Sequence, residues 1–269
     1  MRRCRNVSPL SIFEEKKLKD YILECCVDSV ESALEAQKGG ANRVELCSAL
    51  VIGGLSPSVA LFEKVKEALD IKIHVLLRPR FGDFCYTDYE HEIIKEEIKK
   101  FRELGADGIV IGTLKPDGFL NIEQMQELVA EAGSMSITLH RAFDMCKDPI
   151  KTLNDAKRLG IHTILTSGQK NSCINGTALL KELVKEAGND IDILIGGGVD
   201  ASVINELYEK TGATSYHMSG KITLDSQMDY RKEDVSMGVA SMSEYEIWRT
   251  SADRVSAAKE ILEKIRDKN

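Results

Sequence analysis

The chain has 269 residues, 43% of them apolar and 29% charged, with a net charge of −7. That balance supports a sizeable core and excludes the basic surface expected of a nucleic-acid binder, and no run approaches the ~18 consecutive apolar residues of a membrane span. Seven scattered cysteines, an odd number, do not read as a disulfide framework, so a reducing, cytoplasmic setting is expected.

Taken in order, the start Met1-Arg2-Arg3-Cys4-Arg5-Asn6 is basic but is not followed by an apolar stretch, which speaks against a secretory signal. Glu14, Glu15 and Asp20 speak against a transit peptide. Residues 1–20 are expected to form a tail or a short capping segment, and residues 21–269 one domain. From Tyr21 onward, short apolar runs alternate with amphipathic stretches. Strands are expected at 21–27, 43–47, 71–77, 108–111, 136–140, 162–166, 191–195 and 214–218. Helices are expected between them, with Ser29, Ser56-Pro57, Asp148-Pro149 and Asp200 as start signals and Gly39-Gly40, Gly105 and Gly160 as stops. A long loop precedes the last helix, at about 251–267. Eight strand–helix units without a break in composition predict a single α/β (β/α)₈ barrel of the TIM type. A doubly wound open sheet is disfavoured, because no G-x-G-x-x-G follows the first strand.

Two strand ends carry the same pattern, Glu24-Cys25-Cys26 and Glu45-Leu46-Cys47. Residues two apart share a face of a strand. A carboxylate under packed helices would carry a large desolvation cost, so Glu24, Cys26, Glu45 and Cys47 are expected to face the barrel interior. The same parity turns inward His74 and Arg78 on the third strand, Thr138 and His140 on the fifth, Thr166 on the sixth, and Ser215, His217 and Ser219 on the eighth. Arg80, Arg141 and Asp144 fall on rim loops. Plainer roles are available for each. The two glutamates can pair with arginines of later strands, the two cysteines can be small core fillers, and the histidines can be satisfied interior residues. The turns Ser167-Gly168, Gly197-Gly198 and Ser219-Gly220 can present backbone N–H groups to an anion, with Arg78 and Arg80 adding charge, or can simply permit tight turns. No inward lysine stands at a strand end, which argues against a Schiff-base aldolase.

Six ordered motifs resemble the CutC copper homeostasis family: Cys26-Val-Asp-Ser-Val-Glu-Ser, Val44-Glu-Leu-Cys-Ser, Arg78-Pro-Arg with Gly82-Asp-Phe, His140-Arg-Ala-Phe-Asp-Met, Leu165-Thr-Ser-Gly and Gly196-Gly-Gly-Val. The chain departs from the family pattern at Phe81, Cys85 and Ile195. The resemblance implies a TIM-type barrel, a cytoplasmic setting, homo-oligomers in some members, and Cu(I) bound through cysteines that match Cys26 and Cys47. Thiolates select Cu(I) over hard cations. The alternative is a metal-dependent or acid/base enzyme acting on a small substrate, phosphorylated or not. In that reading Glu24, Glu45, His140 and Asp144 are the catalytic candidates, Mg²⁺ or Mn²⁺ the metal, and Arg78, Arg80 and the glycine turns the anion site. A non-enzymatic scaffold acting through oligomerisation is a third reading. The expected partner is a copper ion or a small-molecule ligand, with no nucleic acid and no membrane.

Overall fold

The computed structural model describes residues 21–239 and 242–268. The expected tail over residues 1–20 lies outside them. Eight parallel strands close into a barrel in sequence order: β1 Ile22–Val27, β2 Arg43–Leu46, β3 Lys72–Leu76, β4 Gly108–Ile111, β5 Ser136–Leu139, β6 Thr163–Thr166, β7 Asp192–Ile195 and β8 Ser215–Met218. The helices α1 Val30–Gly39, α2 Val59–Ala68, α3 Asp88–Glu103, α4 Ile122–Ala132, α5 Pro149–Arg158, α6 Thr177–Ala187, α7 Ala201–Thr211 and α8 Ala252–Asp267 surround it. The start signals act as expected where a side-chain oxygen meets an orphan N–H. Ser29 accepts from Ser32, Asp148 accepts from Lys151 with Pro149 in the first turn, and Asp200 accepts from Ser202. Thr87, a start that sequence reading does not name, forms a reciprocal capping box with Glu90. One expected start is corrected. α2 is capped by Ser58, not Ser56, because the Ser56 hydroxyl is engaged by Glu97 and by the Arg78 backbone N–H.

Strand parity divides the side chains. Leu23, Cys25, Val27, Val44 and Leu46 turn outward and are fully buried in the sheet–helix core. The alternate residues fill the barrel. Register then sets their height. Glu24 lies level with Arg43 and with His217, and Cys26 lies level with Glu45. Cys47 therefore stands one inward layer above Cys26, about 6.6 Å further along the strand direction.

The interior has to accommodate two imidazoles, and two glycines make the room. A Cβ on Gly108 would come within 2.6 Å of the His74 ring, and one on Gly112 within 2.7 Å of the His140 ring. Gly108→Ala is expected to lower stability by about 1–3 kcal/mol through overpacking. Gly238→Ala, whose methyl group meets nothing within 4 Å, serves as the neutral control. Urea unfolding of the two variants checks this, and an unchanged midpoint for Gly108→Ala would show that His74 moves aside at no cost.

The long loop after β8 holds an element that the sequence reading did not anticipate. β9 Lys221–Asp225 and β10 Glu246–Thr250 form an antiparallel ribbon. Thr250 ties it to the barrel through Ser219 O and Ser32 Oγ, which brings Lys221, Trp248 and Arg249 to the rim of the barrel mouth.

Candidate metal centre

The C-terminal end of the barrel opens into a cavity of about 330 Å³. Its lining includes Cys26, Glu45, Cys47, Arg78, His140 and His217, with Gly197, Gly198 and Ser219 from the glycine turns. Most of the residues expected at the mouth do meet there. Glu24 does not line it, being fully buried in the layer beneath.

That lower layer is an ion-pair network. Arg43 Nε donates to Glu24 Oε2 at 2.5 Å, and His217 Nδ1 lies 2.7 Å from Glu24 Oε1. Burial pushes the Glu24 carboxyl up, but the charge of Arg43 and the hydrogen bond from His217 outweigh it and hold the group well below the usual carboxylate range. Arg43 is the partner that sequence reading proposed in kind but did not name. It sits two residues before Glu45, so the parity rule that found Glu45 and Cys47 also points to it.

With Nδ1 turned to Glu24, the other ring nitrogen of His217 faces Glu45, at 3.6 Å from Oε2. Burial, together with the neighbouring Glu24 charge, raises the Glu45 carboxyl to about 7 despite the opposing His217 charge. For His217, burial works against the imidazolium, but the Cys26 sulfur and the two carboxylates prevail and hold it well above the ordinary histidine value. Cys26, Glu45 and His217 each present one potential ligand atom, and these atoms all lie within 4.8 Å of one another. Cys47 stands beside this trio, in contact with Leu76, Val110 and Leu50. Its thiol is pushed up by burial and by the charges of Glu45 and Cys26. The two thiols are therefore not level, because the barrel register offsets β2 against β1 by one inward layer.

The remaining candidates sit as follows. His140 lines the cavity with its ring 4.8 Å from that of Phe84. Its Nδ1 accepts from the Ala142 N–H, so the proton is on Nε2, which has no partner. Burial and the nearby Arg78 charge push its pKa down to about 3. A histidine that is neutral when folded but takes up a proton when unfolded contributes stability above pH ~6.5, and that stability is lost as pH falls toward 3. His140→Gln should therefore flatten the loss of unfolding free energy between pH 4 and 6 by about 1.4 kcal/mol per pH unit relative to wild type. Equal slopes in urea titrations across that range would contradict this.

Arg78 is buried, with its terminal nitrogens on the carbonyls of Gly54 and Gly82, its guanidinium over Phe84 and its Nε unpartnered. Arg80 lies outside the cavity lining and is held by Asp83 and Glu90. The Asp144 carboxylate is nearly buried and collects Thr166 Oγ1, the N–H groups of Ser167 and Gln169, and Arg141 Nε. Thr166 thus faces away from the interior, contrary to expectation. Its neighbour Leu165 lines the cavity, and Asp144 gives the outward hydroxyl its partner. Ser167 and Gly168 belong to the same turn. At Gly168, with φ 71°, a Cβ would strike the Gly176 backbone. Gly220, at φ 55°, gives its carbonyl to Ser251. Arg141, Lys221 and Arg249 complete a basic rim. Of these, sequence reading placed only Arg141, because the ribbon that carries the other two packs from a distance in the chain.

A model of the CutC family matches residues 21–222. The chain is 40% identical over 246 residues to the human protein "Copper homeostasis protein cutC homolog", covering 91% of this chain and 90% of that one. It is 42% identical over 240 residues to a CutC family protein of Bacteroides thetaiotaomicron, covering 88% and 96%. The solved structure of the Streptococcus agalactiae CutC protein matches with a TM-score of 0.71 at 30% identity, covering 74% of this chain and 98% of that chain.

Proposed function

This chain belongs to the CutC family, and on that premise we propose that it serves copper homeostasis by binding Cu(I) through Cys26, with Cys47 as the second sulfur. One observation carries the reading: the Cys26 thiol lies at the cavity floor beside an imidazole and a carboxylate, with a second thiol in the same cavity wall. Thiolates are the ligands that select Cu(I) among biological cations. Both sulfurs are shielded from bulk water, which also protects Cu(I) from oxidation. The sulfur-bearing donor set suits a soft or borderline ion better than Mg²⁺ or Mn²⁺, which favour oxygen-rich sites. Glu24 is committed to Arg43 and His217, and His140 Nδ1 to the backbone, so the trio that would have held a hard divalent ion is not assembled.

The protein works in the cytoplasm in this reading. The six described cysteines are all free, as a reducing compartment requires. Self-association belongs to the same reading, and the exposed apolar side chains Met228, Tyr230, Val235 and Met237 are the surface it would cover. The test of the copper reading is anaerobic competition for Cu(I) against a chelator. Cys47→Ser is expected to weaken binding by about tenfold, near one ligand-sized increment, and to leave one Cu(I) per chain. Wild-type affinity in the Cys26→Ser/Cys47→Ser double variant would sink the reading.

A further inference from the structure

The barrel floor carries more than two thiols. We propose that Cys26, Glu45 and His217 also form a three-ligand site for a divalent cation of the zinc class, with its remaining coordination position open to the cavity. This goes beyond Cu(I) binding and rests on that reading only in taking the Cys26 sulfur as a metal ligand.

Several observations support it independently. The donors are one sulfur, one imidazole nitrogen and one carboxylate oxygen, the mixture that Zn²⁺ accepts and that Cu(I) does not need. Ligand bonds of about 2.0–2.3 Å in a tetrahedron put neighbouring donors ~3.3–3.7 Å apart. His217 Nε2 and Glu45 Oε2 are 3.6 Å apart, and all three donors fall within 4.8 Å. The outer ligation is already built. Glu24 receives His217 Nδ1 at 2.7 Å, the carboxylate–histidine arrangement that fixes the tautomer and turns Nε2 to the metal. Arg43 pairs with Glu24, so a cation that displaces the Cys26 and His217 protons on binding meets one thiolate, one neutral imidazole and one carboxylate, a set whose charge a dication balances. Protein ligands come only from the floor, and the cavity lies above. Arg78 and Arg141 stand in its wall, and His140 Nε2–H and Arg78 Nε are buried donors without partners at that same wall. An oxyanion-bearing small molecule, a carboxylate or a phosphate, is the class of ligand such a mouth would bring to the open position.

The experiment uses metal-free full-length protein under anaerobic conditions, with Co²⁺ as the probe. One Co²⁺ per chain is expected, with a thiolate-to-cobalt charge-transfer band and the intense visible bands of a tetrahedral ion. Cys26→Ser should remove the charge-transfer band. Glu45→Gln and His217→Gln should each weaken Co²⁺ and Zn²⁺ binding at least tenfold, and Cys47→Ser should leave the band and both affinities unchanged. Inorganic phosphate should shift the visible bands by entering the open position. Loss of the band in Cys47→Ser but not in Cys26→Ser, or bands unmoved by phosphate, would overturn the site as drawn. The cadmium NMR shift of the wild-type protein removes any dependence on variants that fail to fold. A shift in the range of one sulfur with nitrogen and oxygen supports the site, and a two-sulfur shift contradicts it. If Cu(I) binds and Co²⁺ does not, this proposal fails and the copper reading stands. If Co²⁺ binds and Cu(I) does not, the reverse holds.

Discussion

Glu24→Gln is expected to destabilise the fold by about 3–5 kcal/mol, the cost of leaving one member of a buried ion pair without its partner. Glu24 is wholly buried and Arg43 is only 6% exposed. One Arg43 nitrogen, Nη2, already lacks an acceptor. An amide offers the guanidinium a single neutral acceptor in place of a charge, and it also weakens the grip on His217 Nδ1. Replacing both members by apolar residues, Glu24→Met with Arg43→Met, should recover most of the loss, because neither charge then remains to be desolvated. The pH dependence follows from the sign of the shift. The folded Glu24 carboxyl is held below its ordinary value, so its contribution is present above the unfolded pKa of about 4.3 and is lost as pH falls toward the folded one. That acid-side loss should be absent in Glu24→Gln. Equilibrium unfolding in urea at neutral and acid pH reads both effects. A loss below about 1 kcal/mol in the single variant would mean that the pair is not what holds the barrel floor together.

Cys26→Ser should have the largest effect on metal binding, lowering Cu(I) affinity by more than about 100-fold, beyond the 10–100-fold that outer-ligand changes cost. The hydroxyl keeps the size of the side chain but replaces a soft donor by a hard one. Cys26 is singled out over Cys47 by position. It shares its layer with Glu45 and lies within reach of His217, whereas Cys47 is one layer higher against Leu76 and Val110. Glu45→Gln should change Cu(I) affinity little, since Cu(I) has no need of the carboxylate. The same change should weaken a zinc-class ion, so the pair of ions separates the roles of the two donors.

The barrel was legible in the sequence because its signals are local: alternating apolar strands, hydroxyl and carboxylate caps, and glycines at helix ends. The inward face of β1 and β2 was legible for the same reason, since a period of two cannot hide a repeated Glu-x-Cys. Two features were not. The layer offset between Cys26 and Cys47 depends on barrel shear, a property of all eight strands closing together. Arg43 and His217 acquire their roles from pairing across β2–β1–β8, and β8 lies nearly two hundred residues from β1 along the chain (|i−j| = 193 for the His217–Glu24 contact). The ribbon of β9 and β10 was missed because its short, highly charged strands resemble a loop until Trp248 packs under Lys221. Thr166 shows the limit of polarity as a guide to direction: a threonine can face outward when a carboxylate such as Asp144 waits there.

X-ray absorption at the copper edge of the anaerobically Cu(I)-loaded wild-type protein, compared with Cys26→Ser, tests the central claim most directly. The expected result is sulfur bonded to copper in the wild type and a reduced sulfur contribution, or no bound copper, in Cys26→Ser. A wild-type spectrum with only nitrogen and oxygen neighbours, or an unchanged sulfur signal in Cys26→Ser, would contradict the assignment of Cys26 as the metal anchor.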